Sequence, residues 1–324
     1  MSSKDSILTL LENSRGRSVS GEYIAHELDI SRSAVWKAIN ELKKSGYKIE
    51  AVTNKGYRLR EDNDILSVQG MVPFLAAQAV AGNIIFYPSV KSTNRTAKEI
   101  ALTGAKHGTV VVSDCQTEGR GRYDREFYSP QGSGIYMSFV LRPEQGRFES
   151  PTLITAFAGV AVCEAIRAVS AKEPVIKWVN DIYCDGKKIC GILTEAVSDF
   201  ESGNIGWVVV GIGINFSTPD SAFPAELRRT AGALFPAGEN TVTRNRLAAE
   251  IMNRMLDMDG YDKGLMLEKY RSLLFMLGSG IQVVSADGAY EAVAIDIDDM
   301  GRLIVRAGGG ETRTLSYGEI SIRC

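Results

Sequence analysis

The chain has 324 residues, 44% of them hydrophobic and 23% charged, with a net charge of −2. That is long enough for two or three domains with sizeable cores, and the composition excludes a disordered or fibrous chain. The five cysteines hold no Cys-x-x-Cys pair and the only histidines are His26 and His107, so a disulfide framework, a zinc ribbon, a histidine-rich metal site and a hydrolase triad all lack material. The cysteines are expected to be buried thiols.

Charge is unevenly spread. Residues 1–60 carry 11 Lys and Arg against 7 Asp and Glu, a net +4, while the remainder is acidic. A basic head on an acidic body points to a nucleic-acid partner for the head alone. The N-terminus has no hydrophobic signal core, and the most apolar run, Leu153 to Cys163, stops at Glu164, short of a bilayer span. A cytoplasmic protein with no membrane partner is therefore expected.

In chain order, apolar spacing predicts a helix from Ser6 to Asn13 and a second that Ser20-Gly21-Glu22 opens and Leu28 closes. Ser31 is placed to cap a third, Arg32 to Lys44, with Val35, Ile39 and Leu42 inward. Gly46 to Val52, the turn Thr53-Asn54-Lys55-Gly56, and Tyr57-Arg58-Leu59 read as a β-hairpin. Together these make a winged helix-turn-helix. Its recognition helix would bring Arg32, Ser33, Trp36 and Lys37 to operator DNA, with Lys55 and Arg58 of the wing on the flanking backbone. A three-helix interaction module is the alternative, and Trp36 could instead pack between helix and wing.

Glu61 to Asp64 reads as a polar linker. Beyond it, strands are expected at 84–87, 108–113, 134–141, 175–178, 188–195 and 207–215, with helices from Asn94 to Leu102, Thr152 to Ala168 and Arg244 to Leu256. This is the pattern of an α+β domain whose sheet is covered by helices on one face. After Lys269 come short strands at 281–284, 290–295, 303–306 and 312–315, parted by turns at 286–288, 298–301 and 308–310, the look of a small β-barrel.

The most informative stretch is Gly119-Arg120-Gly121-Arg122-Tyr123-Asp124-Arg125-Glu126-Phe127-Tyr128-Ser129-Pro130. Glycines let a backbone approach phosphate closely, and each guanidinium presents a fixed fork of donors, so this loop suits closure on an anion. Ser92-Thr93-Asn94 lies upstream; Lys177-Trp178-Val179-Asn180-Asp181, Lys187 to Glu195 and Gly211-Ile212-Gly213-Ile214-Asn215 lie downstream. In this order and spacing the five motifs resemble the biotin protein ligases, in the two-function form that also carries a DNA-binding domain and represses biotin operons. The likeness covers nearly the whole chain. Val179 stands where that family usually has proline, and Phe127 where it has an aromatic residue, often tryptophan; the phenyl ring keeps a π face for adenine.

The resemblance implies three domains: a winged helix at 1–62, a mixed-sheet ligase domain like those of class II aminoacyl-tRNA synthetases at 66–270, and an SH3-like barrel at 275–324. It implies ATP and Mg²⁺ as requirements, biotin as substrate, and biotinyl-5′-AMP as intermediate and corepressor. Its partners would be a carrier domain of a biotin-dependent carboxylase such as acetyl-CoA carboxylase, operator DNA, and a second copy of the chain once the adenylate binds. Lys188 would bridge the biotin carboxylate and the α-phosphate, with Arg120 and Arg122 assisting. Ser92, Thr93, Asn94, Gln116, Gly119, Gly121, Gly191 and Gly211 would complete the biotin site. Arg125, Phe127, Asn180, Asp181 and Asn215 would hold the nucleotide, with Asp181 also a Mg²⁺ ligand or, alternatively, only a turn former. A non-catalytic biotin-sensing repressor and a lipoate ligase remain the rival readings.

Overall fold

The computed structural model describes residues 2–142, 150–198, 205–257, 262–285, 288–316 and 319–322. The N-terminal unit runs α1 (Ser3–Asn13), β1 (Ser18–Val19), α2 (Gly21–Glu27), α3 (Arg32–Lys44), β2 (Ile49–Val52) and β3 (Gly56–Leu59). Serine caps set its helices: Ser20 accepts from the Tyr23 amide and Ser31 from the Ala34 amide, each satisfying a donor the helix itself leaves unpaired. Ile7, Leu8, Leu11, Ile24, Val35, Ile39, Leu42 and Leu59 form a core of their own. The wing gains a strand that its sequence did not announce, since β1 pairs antiparallel with β3. Gly56 makes this possible: its φ is +96°, and a Cβ there would collide with the β1 backbone.

The central unit begins with the single turn α4 (Val68–Met71) and continues with β4 (Ile84–Tyr87), α5 (Thr93–Leu102), β5 (Thr109–Ser113) and β6 (Gly134–Leu141). It goes on through α6 (Pro151–Val169), β7 (Val175–Lys177), β8 (Asp181–Cys184), β9 (Lys187–Ser198), β10 (Ile205–Asn215), α7 (Arg244–Leu256) and α8 (Lys263–Leu273). Its seven-stranded mixed sheet has the order β4-β5-β6-β10-β9-β8-β7, with β4 and β5 parallel and the other pairs antiparallel. The expectation of a single covered face needs correction. Alternation sends Val110 and Val112 into the main core with α6 and α7, while Val111, Val140 and Val209 meet Ala97 and Ala101 of α5 on the opposite face. α6 is also longer than its apolar run suggested. At 19 residues it has the length and apolarity of a membrane span, yet 13 of its residues are buried in the protein core.

The C-terminal unit is a five-stranded antiparallel sheet, order β14-β13-β12-β11-β15, built from β11 (Gly280–Ser285), β12 (Gly288–Ile297), β13 (Leu303–Ala307), β14 (Thr312–Leu315) and β15 (Glu319–Ile322). The expected turn residues Ala286 and Asp287 lie outside the described residues, as does Cys324. Ile281, Val283, Ala294, Leu303 and Val305 belong to the same apolar cluster as the central sheet. The Trp178 indole donates to the Gly301 carbonyl at 3.0 Å, tying the sequence just before Asn180 to a turn of this sheet.

The polar linker is not a free tether. Asn63 is buried and its Oδ1 accepts from the Lys48 amide at 3.0 Å, while Asp64 pairs with Arg244 at 3.1 Å. Asn63 and Asp64 turn inward because each has a defined partner there, a fact that short-range sequence pattern does not carry.

Candidate active site

The site grows out of the period of two along three neighbouring strands. Ile135, Met137 and Phe139 of β6, Ile192 of β9, and Val210, Ile212 and Ile214 of β10 point into the main core. The residues between them, Ser138, Gly191, Leu193, Gly211, Gly213 and Asn215, therefore face the opposite side, the side that carries α5. Gly213 lies directly across from Gly191, and Gly211 across from both Ser138 and Leu193. Three glycines side by side leave a trough in the sheet surface, and over it lies a cavity of about 360 Å³.

The arginine-glycine segment folds over this trough. The Gly121 amide donates to the Arg125 carbonyl at 2.7 Å and the Phe127 amide to the Gly119 carbonyl at 2.9 Å, making a narrow hairpin with Tyr123 and Asp124 at its tip, both at positive φ. Arg120, Arg122 and Arg125 all line the cavity. Arg122 donates to Asn180 Oδ1 at 3.3 Å and its guanidinium sits 5.0 Å from the Tyr123 ring centroid; Arg120 is exposed and stands 3.4 Å from Asp124. Phe127 turns down: a Cβ on Gly213 would lie 2.6 Å from its ring and one on Gly191 3.3 Å from it. The ring also meets Tyr136 edge-on at 6.5 Å. Glycine at 191 and 213 is what admits a flat aromatic against the sheet.

On the β8–β9 side, the Lys188 ammonium stands 2.7 Å from Asp181 Oδ1, across the register that pairs Asp181 with Gly191. The Lys188 backbone is held from the other side by Thr230 and Gly232, whose carbonyl and amide bond its amide and carbonyl at 2.9 Å each. Asn180 is fixed by donation of its Nδ2 to the Ile192 carbonyl at 2.9 Å. Asn215 lines the cavity and is buried, and its Oδ1 has no hydrogen-bond partner among the described residues. An orphaned buried acceptor is costly, so it marks a place where a ligand donor or a cation fits. Burial pushes the Tyr183 phenol, also in the wall, up to about 12, so it stays a neutral donor at any ordinary pH.

The polar end of the cavity is made by the start of α5 and the chain after β5. Gln116 Oε1 accepts from the Thr93 amide at 2.8 Å and Gln116 Nε2 donates to Ser129 Oγ at 2.9 Å. Ser92, Thr93, Asn94 and Gln116 all line the wall here. Thus Lys188, the three arginines, Phe127, Asn180, Asp181, Asn215, Gly121, Gly191 and Gly211 share one cavity with the Ser92–Asn94 row. Gly119 does not line it; a Cβ there would run into Phe127 and Ser129, so it serves the hairpin's own closure. Gly211 lines it, but the space above its Cα is filled by the Asn94 side chain, so Gly211 admits Asn94.

Among the wall residues that sequence reasoning missed are Lys177, Tyr183, Gly213, Phe223, Leu227, Thr230 and Ala231. Lys177 and Gly213 lie inside motifs already singled out and were within reach. Nothing local marks 223–231; that stretch joins the cavity only because it runs beside Lys188.

A second candidate surface lies on the N-terminal unit. Arg32, Ser33, Trp36 and Lys37 all project from the exposed face of α3, and Trp36 is 62% exposed. It does not pack between helix and wing. Lys55 is exposed in the wing turn, whereas the Arg58 guanidinium is paired with Glu50 at 2.6 Å.

Residues 86–215 match the model of the biotin/lipoate A/B protein ligase family, residues 4–58 that of a helix-turn-helix domain, and residues 276–323 that of the biotin protein ligase C-terminal domain. The bifunctional ligase/repressor BirA of Bacillus spizizenii is 35% identical over 308 residues, covering 94% of each chain. The Escherichia coli protein of the same name is 27% identical, with 98% of this chain and 96% of that one covered. Among solved structures, the Aquifex aeolicus biotin protein ligase in complex with biotin and ATP aligns with a TM-score of 0.63 at 27% identity, over 74% of this chain and 98% of that one. With the sheet domain that carries the cavity, the helix-turn-helix and the terminal sheet each matched in turn, the chain belongs to the biotin protein ligases, in their bifunctional ligase/repressor form.

Proposed function

We propose that the protein activates biotin with ATP, transfers it to a lysine of a biotin carrier domain, and represses biotin genes when the activated intermediate accumulates. The observation that carries this reading is the convergence of the Lys188 ammonium and three guanidiniums over a glycine trough whose far end is lined with amide and hydroxyl groups. One end suits a polyanion and the other a ring with hydrogen-bonding groups.

A carboxylate cannot acylate an amine directly, because its oxygen is a poor leaving group. In the first step a biotin carboxylate oxygen attacks the α-phosphorus of ATP, the bond to the bridging oxygen of the β-phosphate breaks, and pyrophosphate departs. Lys188 lies where one ammonium holds two mutually repelling anions in attack geometry and stabilises the charge that gathers on the phosphoryl oxygens. Arg120 and Arg122 neutralise the carboxylate and phosphate, and Arg125 the departing pyrophosphate. Phe127 offers its ring face to adenine, with Asn180, Asp181 and Asn215 as nucleotide partners. Lys177, in the same wall, adds a further cation.

Among the described residues no group of three or more His, Cys, Asp or Glu gathers as a metal site. One carboxylate, Asp181, in the same cavity wall as the orphaned Asn215 Oδ1, fits a Mg²⁺ ion that takes most of its ligands from phosphate and water. Such an ion would add positive charge at the phosphates.

In the second step the carrier lysine nitrogen attacks the acyl carbon of the adenylate and AMP leaves. The hairpin at 119–130 keeps water from the mixed anhydride until the carrier docks. Adenylate binding favours a homodimer, and a dimer presents two copies of α3 to a two-half-site operator. The need for ATP and the cysteines that are free and mostly buried among the described residues fit a cytoplasmic setting.

The test is direct. Pure protein is incubated with ATP, Mg²⁺, an apo carrier domain and labelled biotin or lipoate. Label passing from biotin alone is expected. Transfer from lipoate would favour a lipoate ligase, and binding without transfer a sensor. Footprinting affinity should rise when biotin and ATP are added together; unchanged affinity would remove the corepressor role.

A further inference from the structure

Asn94 is held by more partners than its place in the cavity wall requires, and those partners decide what it can offer. Its Nδ2 donates to the Leu193 carbonyl at 3.1 Å and to Glu195 Oε2 at 2.8 Å, which uses both amide hydrogens. Its Oδ1 receives the Ser138 hydroxyl at 2.6 Å, leaving one lone pair open. Gln116 is fixed in the opposite sense. Its Oε1 receives the Thr93 amide at 2.8 Å, while Nε2 gives one hydrogen to Ser129 and keeps one. The cavity therefore presents an acceptor at Asn94 and a donor at Gln116. A ureido ring carries the complement, N–H donors beside a carbonyl acceptor. The dithiolane ring of lipoate carries neither.

Glu195 does not line this cavity. It flanks Asn94 on the same sheet face, where with Lys98 it lines an adjoining cavity that shares Asn94 and Arg122 with this one, and its second oxygen is 2.7 Å from the Lys98 ammonium of α5. We propose that Glu195, braced by Lys98, is a positioning residue that fixes the polarity of the Asn94 amide and so makes the site selective for a ureido N–H. This rests on the reading of biotin as substrate and concerns how the same site chooses it. Without the carboxylate one Asn94 N–H loses its acceptor, and the amide can turn that N–H toward the ligand, where it opposes another donor.

The experiment compares wild type, Glu195→Ala and Glu195→Gln by calorimetric biotin titration, steady-state kinetics and thermal melting. Glu195→Ala is expected to raise the Kd and KM for biotin about tenfold, the scale of one charged hydrogen bond, with kcat and the KM for ATP within about twofold of wild type. Glu195→Gln keeps a carbonyl facing Asn94 Nδ2 and should restore most of the biotin affinity. A biotin KM unmoved in Glu195→Ala overturns the proposal, as do equal rises in both KM values or a glutamine variant no better than alanine. If Glu195→Ala melts too early to assay, the more conservative Glu195→Gln and Lys98→Met decide: the first should hold the biotin KM near wild type and the second should raise it about threefold, within the range of one partly exposed ion pair. A wild-type protein that binds no biotin would instead overturn the substrate reading itself.

Discussion

Lys188 owes its role to where its charge is held. A lysine in a strand next to Lys187 could as easily face water, but here its backbone is clamped between β8 and the 230–232 stretch and its ammonium is drawn to Asp181. In the proposed mechanism, replacement by alanine removes the cation that bridges the biotin carboxylate and the α-phosphate. Lys188→Ala is expected to slow biotin-dependent pyrophosphate release by on the order of 10²–10³-fold, the usual cost of losing one transition-state donor. Its melting temperature should stay within a few degrees of wild type, because the side chain is about one-third exposed. Turnover near normal would contradict the assignment. Glycine at 191 was legible as a point of close approach, but what approaches is the chain's own Phe127, which no local pattern reveals.

At the scale of elements, the hairpin at 119–130 and the exposed face of α3 are each separable by mutation. Arg122 links the hairpin to the β8 side of the cavity through Asn180. Arg122→Gly should loosen that closure and let the activated acid escape, seen as label on bystander lysines of an unrelated protein; label confined to the carrier domain would speak against it. Trp36 stands in solvent at the centre of the basic face of α3. Trp36→Ala should weaken operator binding by at least about tenfold while leaving ligase turnover unchanged, the loss expected when a large contact leaves a groove interface. A filter-binding curve that superimposes on wild type would remove Trp36 from the interface. The boundaries of α3 and α7 were readable to the residue because a serine or threonine cap precedes an amphipathic repeat in each. By contrast β8, four residues long, is too short to display a period, and α8 hides a clear inward stripe, Met266, Leu267, Tyr270 and Leu273, behind the onset of the terminal strands.

For the whole molecule, the junction between the DNA-binding and ligase units is a buried charge cluster. Arg244 is almost wholly buried between Asp64 and Asp114, and it also donates to the Asp64 and Gly134 carbonyls. On the other side, Arg15 donates to the Asn63 carbonyl at 2.7 Å. Burial pushes the Asp64 carboxyl up, and the Arg244 charge pulls against that shift. Arg244→Ala would leave two carboxylates without their counter-charge. A loss of about 3–5 kcal/mol is expected, measured by urea unfolding, since removing one partner of a buried pair strands the other. A loss below about 1 kcal/mol would mean the cluster is solvated and the junction loose.

By itself the sequence determined the modules and the chemistry. Period-3.6 and period-2 patterns, capping residues and glycine turns act over a few neighbours, so they specify the winged helix, most strands and the motif side chains wherever the chain is read. Only the tertiary structure decided which glycine makes room for which side chain, how Asn94 and Gln116 divide acceptor from donor, and that Asp64 turns inward to Arg244. Those facts depend on contacts between residues far apart in the chain, such as 94 with 195 or 64 with 244, and packing alone fixes them.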